Sequence, residues 1–152
     1  MKTKIEIYSN KNFVINGKIL REVINQMLGR IEKQFEKIEI SFLTDRDLLE
    51  LNKKYLNHDS FTDILTFPYD SGNSLVTEIL ISYERAYENS LKYRCTLEEE
   101  ILRLIAHGIL HSIGFKDKTK SQKLKMRKAE TDLLNSISEV KFIKKFTMES
   151  QN

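Results

Sequence analysis

One stretch constrains this chain more than any other. From Leu97 to Ile113 a helix would be apolar on most sides, through Ile101, Leu102, Leu104, Ile105, Ala106, Ile109, Leu110 and Ile113. A helix apolar nearly all round belongs in a core. Thr96-Leu97-Glu98-Glu99 opens it as a capping box, in which the Thr96 hydroxyl accepts from the Glu99 amide and Glu99 reaches back. Glu98, Glu99 and Glu100 suit the positive end of the helix dipole. Gly114 closes the helix, because glycine accepts the left-handed C′ conformation without a Cβ clash. One stripe breaks the apolar rule: Glu100, Arg103, His107 and His111 recur at steps of three and four and so share a face. Burying such groups unpaired costs several kcal/mol, so the stripe must face a partner or a cleft.

Two of its members carry chemistry. Histidines four apart on a helix stack on one face and can both reach one ion. Asp117 follows His111 by six residues, after the glycine turn, and can fold back over that face. Three protein ligands with a fourth position left for water make the pattern of a catalytic zinc site. Nitrogen and carboxylate donors suit zinc, and nickel, cobalt and manganese fit them as well. The competing reading takes His107 and His111 as core histidines and Asp117 as a turn residue. It asks three correctly spaced donors to be coincidental. Metzincin-type peptidases share the histidine spacing but carry a glutamate base after the first histidine. Here that position is Gly108, which cannot accept a proton.

His107-Gly108-Ile109-Leu110-His111-Ser112-Ile113-Gly114-Phe115-Lys116-Asp117 resembles the H-G-x-L-H-L-x-G-Y-D-H motif of the YbeY family of bacterial ribosomal-RNA maturation factors. The run from Leu51 to Pro68, which includes Leu51-Asn52, Tyr55, Asp59, Thr62-Asp63 and Phe67-Pro68, is similar to that family's L-N-x-x-Y-R-x-x-D-x-x-T-D-V-L-S-F-P. The resemblance covers nearly the whole chain. It implies a single-strand-directed, zinc-dependent endoribonuclease acting on ribosomal-RNA precursors, with the small ribosomal subunit as partner. It also implies one zinc per chain on His107, His111 and Asp117. Either water or the RNA 2′-hydroxyl could be the attacking group, and no residue stands out as general base.

Ser112 stands where leucine is common in the family motif, but two other departures matter more. Asp117 stands where the family has a third histidine; an anion there lowers the net charge of the site and weakens the Lewis acid slightly. Leu56 stands where the family often carries an arginine. Arg103, or Lys53 and Lys54, are the cations that could take its place. His58 reads as a loop residue. A non-catalytic ribosome-assembly module with a structural metal, and a metallohydrolase of another substrate class, are the alternative functions.

The rest of the chain reads as α+β: a mixed sheet of about four strands against helices, with the metal-bearing helix buried beside it. Lys4–Tyr8 alternates as a strand, and Asn16-Gly17 reads as a turn. Ile19 to Phe35 has helical spacing and Lys37–Leu43 alternates again. Thr44 or Asp45 caps a helix that runs through Tyr55. Asp63–Phe67 and Thr77–Ser82 form a strand pair, and a helix through Tyr83 to Leu91 follows. A last helix spans about Ser121 to Ser138, with Leu124, Leu133, Leu134 and Ile137 as core contacts. Lys141 to Phe146 is open between strand, helix turn and frayed end.

At 152 residues the chain fits one domain, and such a domain buries roughly 70% of its unfolded surface without staples. A hydrophobic share of 40% and a charged share of 31% are those of a globular protein. No apolar run approaches the ~20 residues that cross a bilayer. Met1-Lys2-Thr3-Lys4 opens no secretory signal, and the expectation is a cytoplasmic protein without a membrane partner. Cys95 is the single cysteine, so no intrachain disulfide forms; beside Arg94 and the capping Thr96 it reads as structural. The net charge of +3 is compatible with a polyanion. The excess concentrates from Lys116 to Lys128, where Lys118, Lys120, Lys123 and Arg127 are candidate phosphate contacts that follow Asp117 directly.

Overall fold

The computed structural model describes residues 2–137 and 146–148. Its elements run β1 (Lys4–Tyr8), β2 (Val14–Ile15), α1 (Gly17–Leu28), β3 (Phe35–Leu43), α2 (Asp45–Leu56), β4 (Ile64–Ser71), β5 (Ser74–Ser82), α3 (Tyr83–Tyr93), α4 (Leu97–Ser112), α5 (Lys120–Ser136) and β6 (Thr147–Met148). The main sheet has the order β1-β3-β5-β4, with β1 and β5 parallel to β3 and β4 antiparallel to β5. It is the mixed four-stranded sheet of an α+β fold.

Alternation along the strands serves two faces. On one face Ile38, Ile40, Phe42, Ile79 and Ile81 join the large core beneath α1, α4 and α5. On the other, Leu65 and Leu80 meet Leu48 of α2 in a smaller cluster. β4 is an edge strand, which is why Pro68, lacking an N–H, is tolerated in it. Phe35 and Ile38 are both buried although three residues apart. A register shift between Phe35 and Lys37 inserts one extra residue and brings both to the same side.

Several expectations need correction. Asn16-Gly17 is no free turn: the Asn16 side chain caps α1 by accepting from Ile19 N at 3.1 Å. α1 ends at Leu28 rather than continuing to Phe35, which opens β3. Turn hydrogen bonds from Arg30 to Met27 O and from Ile31 to Leu28 O carry the chain out of the helix. The β4–β5 pair is longer than its apolar runs, because pairing continues to Ser71↔Ser74. Leu124 is 67% exposed, and α5 instead buries Met126, Leu133 and Leu134 with the charged Glu130 among them. β2 and β6 form a separate antiparallel pair that no local pattern announced. Residues 141–145 lie outside the described residues. Phe146 is fully buried, and the Thr147 amide and hydroxyl both donate to Glu98 of α4.

α4 runs through the middle of the molecule and packs on β4, β5, α3 and α5. Its capping box forms as expected, with Glu99 N on Thr96 Oγ1 at 3.0 Å and Thr96 N on Glu99 Oε1 at 3.2 Å. Among the described residues no helix is long and apolar enough to cross a membrane.

Candidate metal centre and cleft

The polar stripe of α4 is the wall of a cleft. Glu100, Arg103, His107 and His111 all line one cavity of about 810 Å³. Asp63 to Thr66 at the start of β4 form a second wall, Asn89 and Tyr93 of α3 a third, and Lys123, Arg127 and Glu130 of α5 a fourth. Asp117, from the turn between α4 and α5, closes the end beside the histidines.

Each histidine has one ring nitrogen already committed. His107 Nδ1 lies 2.8 Å from Oε2 of Glu130, whose Oε1 accepts from Arg103 Nη1 at 3.1 Å. His111 Nδ1 lies 3.2 Å from the Phe115 carbonyl. That carbonyl is placed by the end of α4. Gly114, at φ +114, lets Phe115 N reach Leu110 O and Gly114 N reach His111 O, the paired bonds of a Schellman motif. Both Nδ1 atoms being engaged leaves Nε2 as the available donor on each ring. Metal-bound histidines are held in this way, by a carboxylate or a carbonyl on the far nitrogen.

Asp117 Oδ2 lies 3.2 Å from His107 Nε2. Two ligands at about 2.0 Å from a tetrahedral zinc stand about 3.3 Å apart, so this pair has the edge length of such a site. Among the described residues no three His, Cys, Asp or Glu side chains form a closed ligand set. His111 lines the same cavity one helical turn on, and its side chain must adjust to join the other two. His107 has a carboxylate against each ring nitrogen. Burial opposes its protonation, but the hydrogen bond and charge of Glu130, with Asp117 and Asp63 beyond, hold its pKa above the ordinary histidine value. The surroundings of this ring favour a cation, whether proton or metal. The residues therefore fit a zinc-type ion in donor chemistry and in supporting partners.

Gly108 has a structural reason. A Cβ there would stand 2.9 Å from Ile79 Cδ1 and 3.2 Å from Thr66 Oγ1. α4 lies directly on the sheet at this point: even a methyl group would have to displace the Ile79 side chain, and a glutamate base would need far more room. Ser112 is likewise satisfied, donating to Gly108 O at 2.8 Å and sharing a 2.8 Å contact with Thr77 of β5.

The cations divide. Arg103, Lys123 and Arg127 line the cavity; Lys118 and Lys120 lie outside it, on the exposed approach to α5. Lys53 pairs with Glu50 and Asp59, and neither it nor Lys54 lines the cavity, so Arg103 is the arginine on the histidine side. Leu56 does line the cleft, exposed and uncharged. His58, in the loop before β4, lies along the same lining.

Sequence reasoning passed over Glu130, Asp63, Asn89 and Tyr93. Glu130 had a signal: a lone carboxylate on the helical stripe of Met126, Leu133 and Leu134, 95% buried. Asn89 Nδ2 donates to Asp63 Oδ2 and to Glu100 Oε2, each at 3.2 Å. Burial, with Asp63 adding to it, pushes the Glu100 carboxyl up, against the Asn89 hydrogen bond and the charges of Arg103 and Arg127.

Comparison with known proteins gives a consistent picture. The family model described as Endoribonuclease YbeY matches residues 4–138. The Endoribonuclease YbeY of Christiangramia forsetii is 37% identical over 132 residues, covering 86% of this chain and 92% of its own. That of Flavobacterium psychrophilum is 42% identical over 128 residues, covering 81% and 91%. Among solved structures, the solution structure of TM1509 from Thermotoga maritima superposes with a TM-score of 0.55 at 24% identity, over 86% of this chain and 89% of the other. That likeness is one of fold.

Proposed function

The chain belongs to the YbeY endoribonuclease family, and on that premise we propose that it is a zinc-dependent endoribonuclease that cuts single-stranded segments of ribosomal-RNA precursors during maturation of the small ribosomal subunit. It acts as one domain, in the cytoplasm, with no membrane partner. The observation that carries the reading is the pair of imidazoles whose Nδ1 atoms are held by Glu130 and by Phe115 O, with Asp117 Oδ2 3.2 Å from Nε2 of His107.

His107, His111 and Asp117 would hold one ion. Bound there, a divalent metal lowers the pKa of water toward ~7 and polarises a phosphoryl oxygen. The chain's own residues supply the rest. Glu130 fixes the tautomer and orientation of His107. Arg103, held in turn by Glu130, presents its guanidinium to the cleft beside the histidines. Lys123 and Arg127 line the path of a strand entering from α5, and Lys118 and Lys120 extend the positive surface outside it. These contacts are to phosphate and carry no base information.

Leu56 favours a second reading. With an apolar side chain where the family often has arginine, the same cradle could serve an assembly module whose metal is structural. Cleavage of ribosomal-RNA precursor fragments by the parent and by His111→Ala separates the two. The nuclease reading expects a metal-dependent parent and an inactive, folded variant. Two equally inactive proteins with the metal site filled in the parent would favour the assembly module. The contact of Gly108 with Ile79 and Thr66 opposes a peptidase, and peptide hydrolysis by the parent would overturn the choice of RNA.

A further inference from the structure

The cleft extends well beyond the histidines. Glu100 and His107 are seven residues apart on one face of α4, about 10 Å at 1.5 Å per residue. At the Glu100 end the lining changes character. Tyr93, at the last position of α3, is 52% exposed and lines the cavity. Two cations lie over its ring, Lys92 Nζ at 5.5 Å and the Arg127 guanidinium at 6.0 Å from the centroid. Asn89, one turn earlier on the same face of α3, lines the cavity too. Its Nδ2 holds Asp63 and Glu100 together, and its Oδ1 accepts no hydrogen bond among the described residues. Glu100 is 4% exposed, and the Asn89 amide makes its one side-chain hydrogen bond among those residues.

We propose that this end of the cleft is a nucleobase subsite, in which Tyr93 stacks on a base whose amino edge meets Asn89 and Glu100. The inference rests on the ribonuclease reading and deepens it. Aromatic side chains beside an arginine are the usual stacking platform for single-stranded nucleic acid, and every base has a face to offer. An amide oxygen and a carboxyl group accept from an exocyclic amine, such as N4 of cytosine. Uracil has no such amine and loses that edge. A base held here and a phosphate held at the histidines belong to neighbouring positions of one strand. The strand's direction of entry would then be set by Tyr93 at one end and His107 at the other.

The test is binding of short, 5′-labelled 2′-O-methyl oligonucleotides followed by fluorescence anisotropy. The chain has no tryptophan, so the label carries the signal. For oligocytidine, Tyr93→Ala is expected to weaken binding roughly tenfold and Tyr93→Phe to leave it nearly unchanged. An oligomer of the same length made of abasic units keeps the phosphates and loses the base. The parent should bind it more weakly, and Tyr93→Ala should no longer matter. Oligouridine should bind less well than oligocytidine, and Asn89→Ala should shrink that difference. Oligocytidine binding that ignores Tyr93, or an equal loss on the abasic strand, overturns the subsite while leaving the nuclease reading intact. The latter result would make Tyr93 only a support for the Lys92 and Arg127 cations over its ring. A parent that binds none of the strands overturns the nuclease reading and the subsite with it.

Discussion

Glu130 Oε2 stands 2.8 Å from His107 Nδ1, while Oε1 of the same buried carboxylate takes Arg103 Nη1 at 3.1 Å. One side chain from α5 thus sets both the ring that would bind metal and the arginine nearest to it. Glu130→Gln keeps the volume and loses the charge. It should weaken metal binding by about ten- to a hundredfold, the usual cost of losing such an outer partner. Chelator competition followed spectroscopically checks this, with a thermal melt to show that the variant is folded.

Asp117 stands where the motif that this chain resembles has a histidine. Asp117→His restores the third imidazole of the family motif and raises the site's charge by one. Metal binding should be kept, and RNA cleavage should be equal or faster. Asp117→Ala removes a proposed ligand and should lower both. Parallel metal titration and cleavage of the same precursor fragment read the two variants.

Gly108 is where α4 rests on the sheet. Gly108→Ala gains up to ~1 kcal/mol of helix propensity. It also places a Cβ 2.9 Å from Ile79 Cδ1, and Ile79 is fully buried. Overpacking of this kind costs ~1–3 kcal/mol. A net loss on the order of 1 kcal/mol should appear in urea denaturation. Gly108→Glu should fold poorly, and should not acquire peptidase activity.

Glu100 makes stability depend on pH in a stated direction. Burial first, and then Asp63, raise its carboxyl above the ordinary value of 4.5. The folded state therefore holds this proton more tightly than the unfolded state. The contribution is complete below the ordinary carboxylate range and is lost as pH rises through the raised value. Glu100→Gln removes the titration. The variant should match the parent near pH 4 and be the more stable of the two at pH 8, as thermal melts at the two pH values would show.

Much of this arrangement was legible in the sequence, and the legible part is local. The capping box at Thr96, Gly114 at the end of α4, and the stripe of Glu100, Arg103, His107 and His111 depend on contacts within one helix and its turns, where spacing decides geometry. The family motif around the histidines was legible for the same reason. What spacing could not supply was every partner brought from elsewhere in the chain. Glu130 reaches His107 across 23 positions, and Asn89 joins Asp63 to Glu100 across three elements. The order β1-β3-β5-β4 and the β2–β6 pair depend on distant strands finding each other. Leu124 misled because it lies two positions before Met126, which turns the helix stripe toward Met126, Glu130 and Leu133 instead.

Metal content is the most direct test of the proposed centre. Elemental analysis of the purified parent should find about one transition-metal ion per chain, zinc foremost. His107→Ala and Asp117→Ala, folded by thermal melt, should carry far less. A parent free of transition metal, or variants that carry as much as the parent, would contradict the assignment of His107, His111 and Asp117 as ligands.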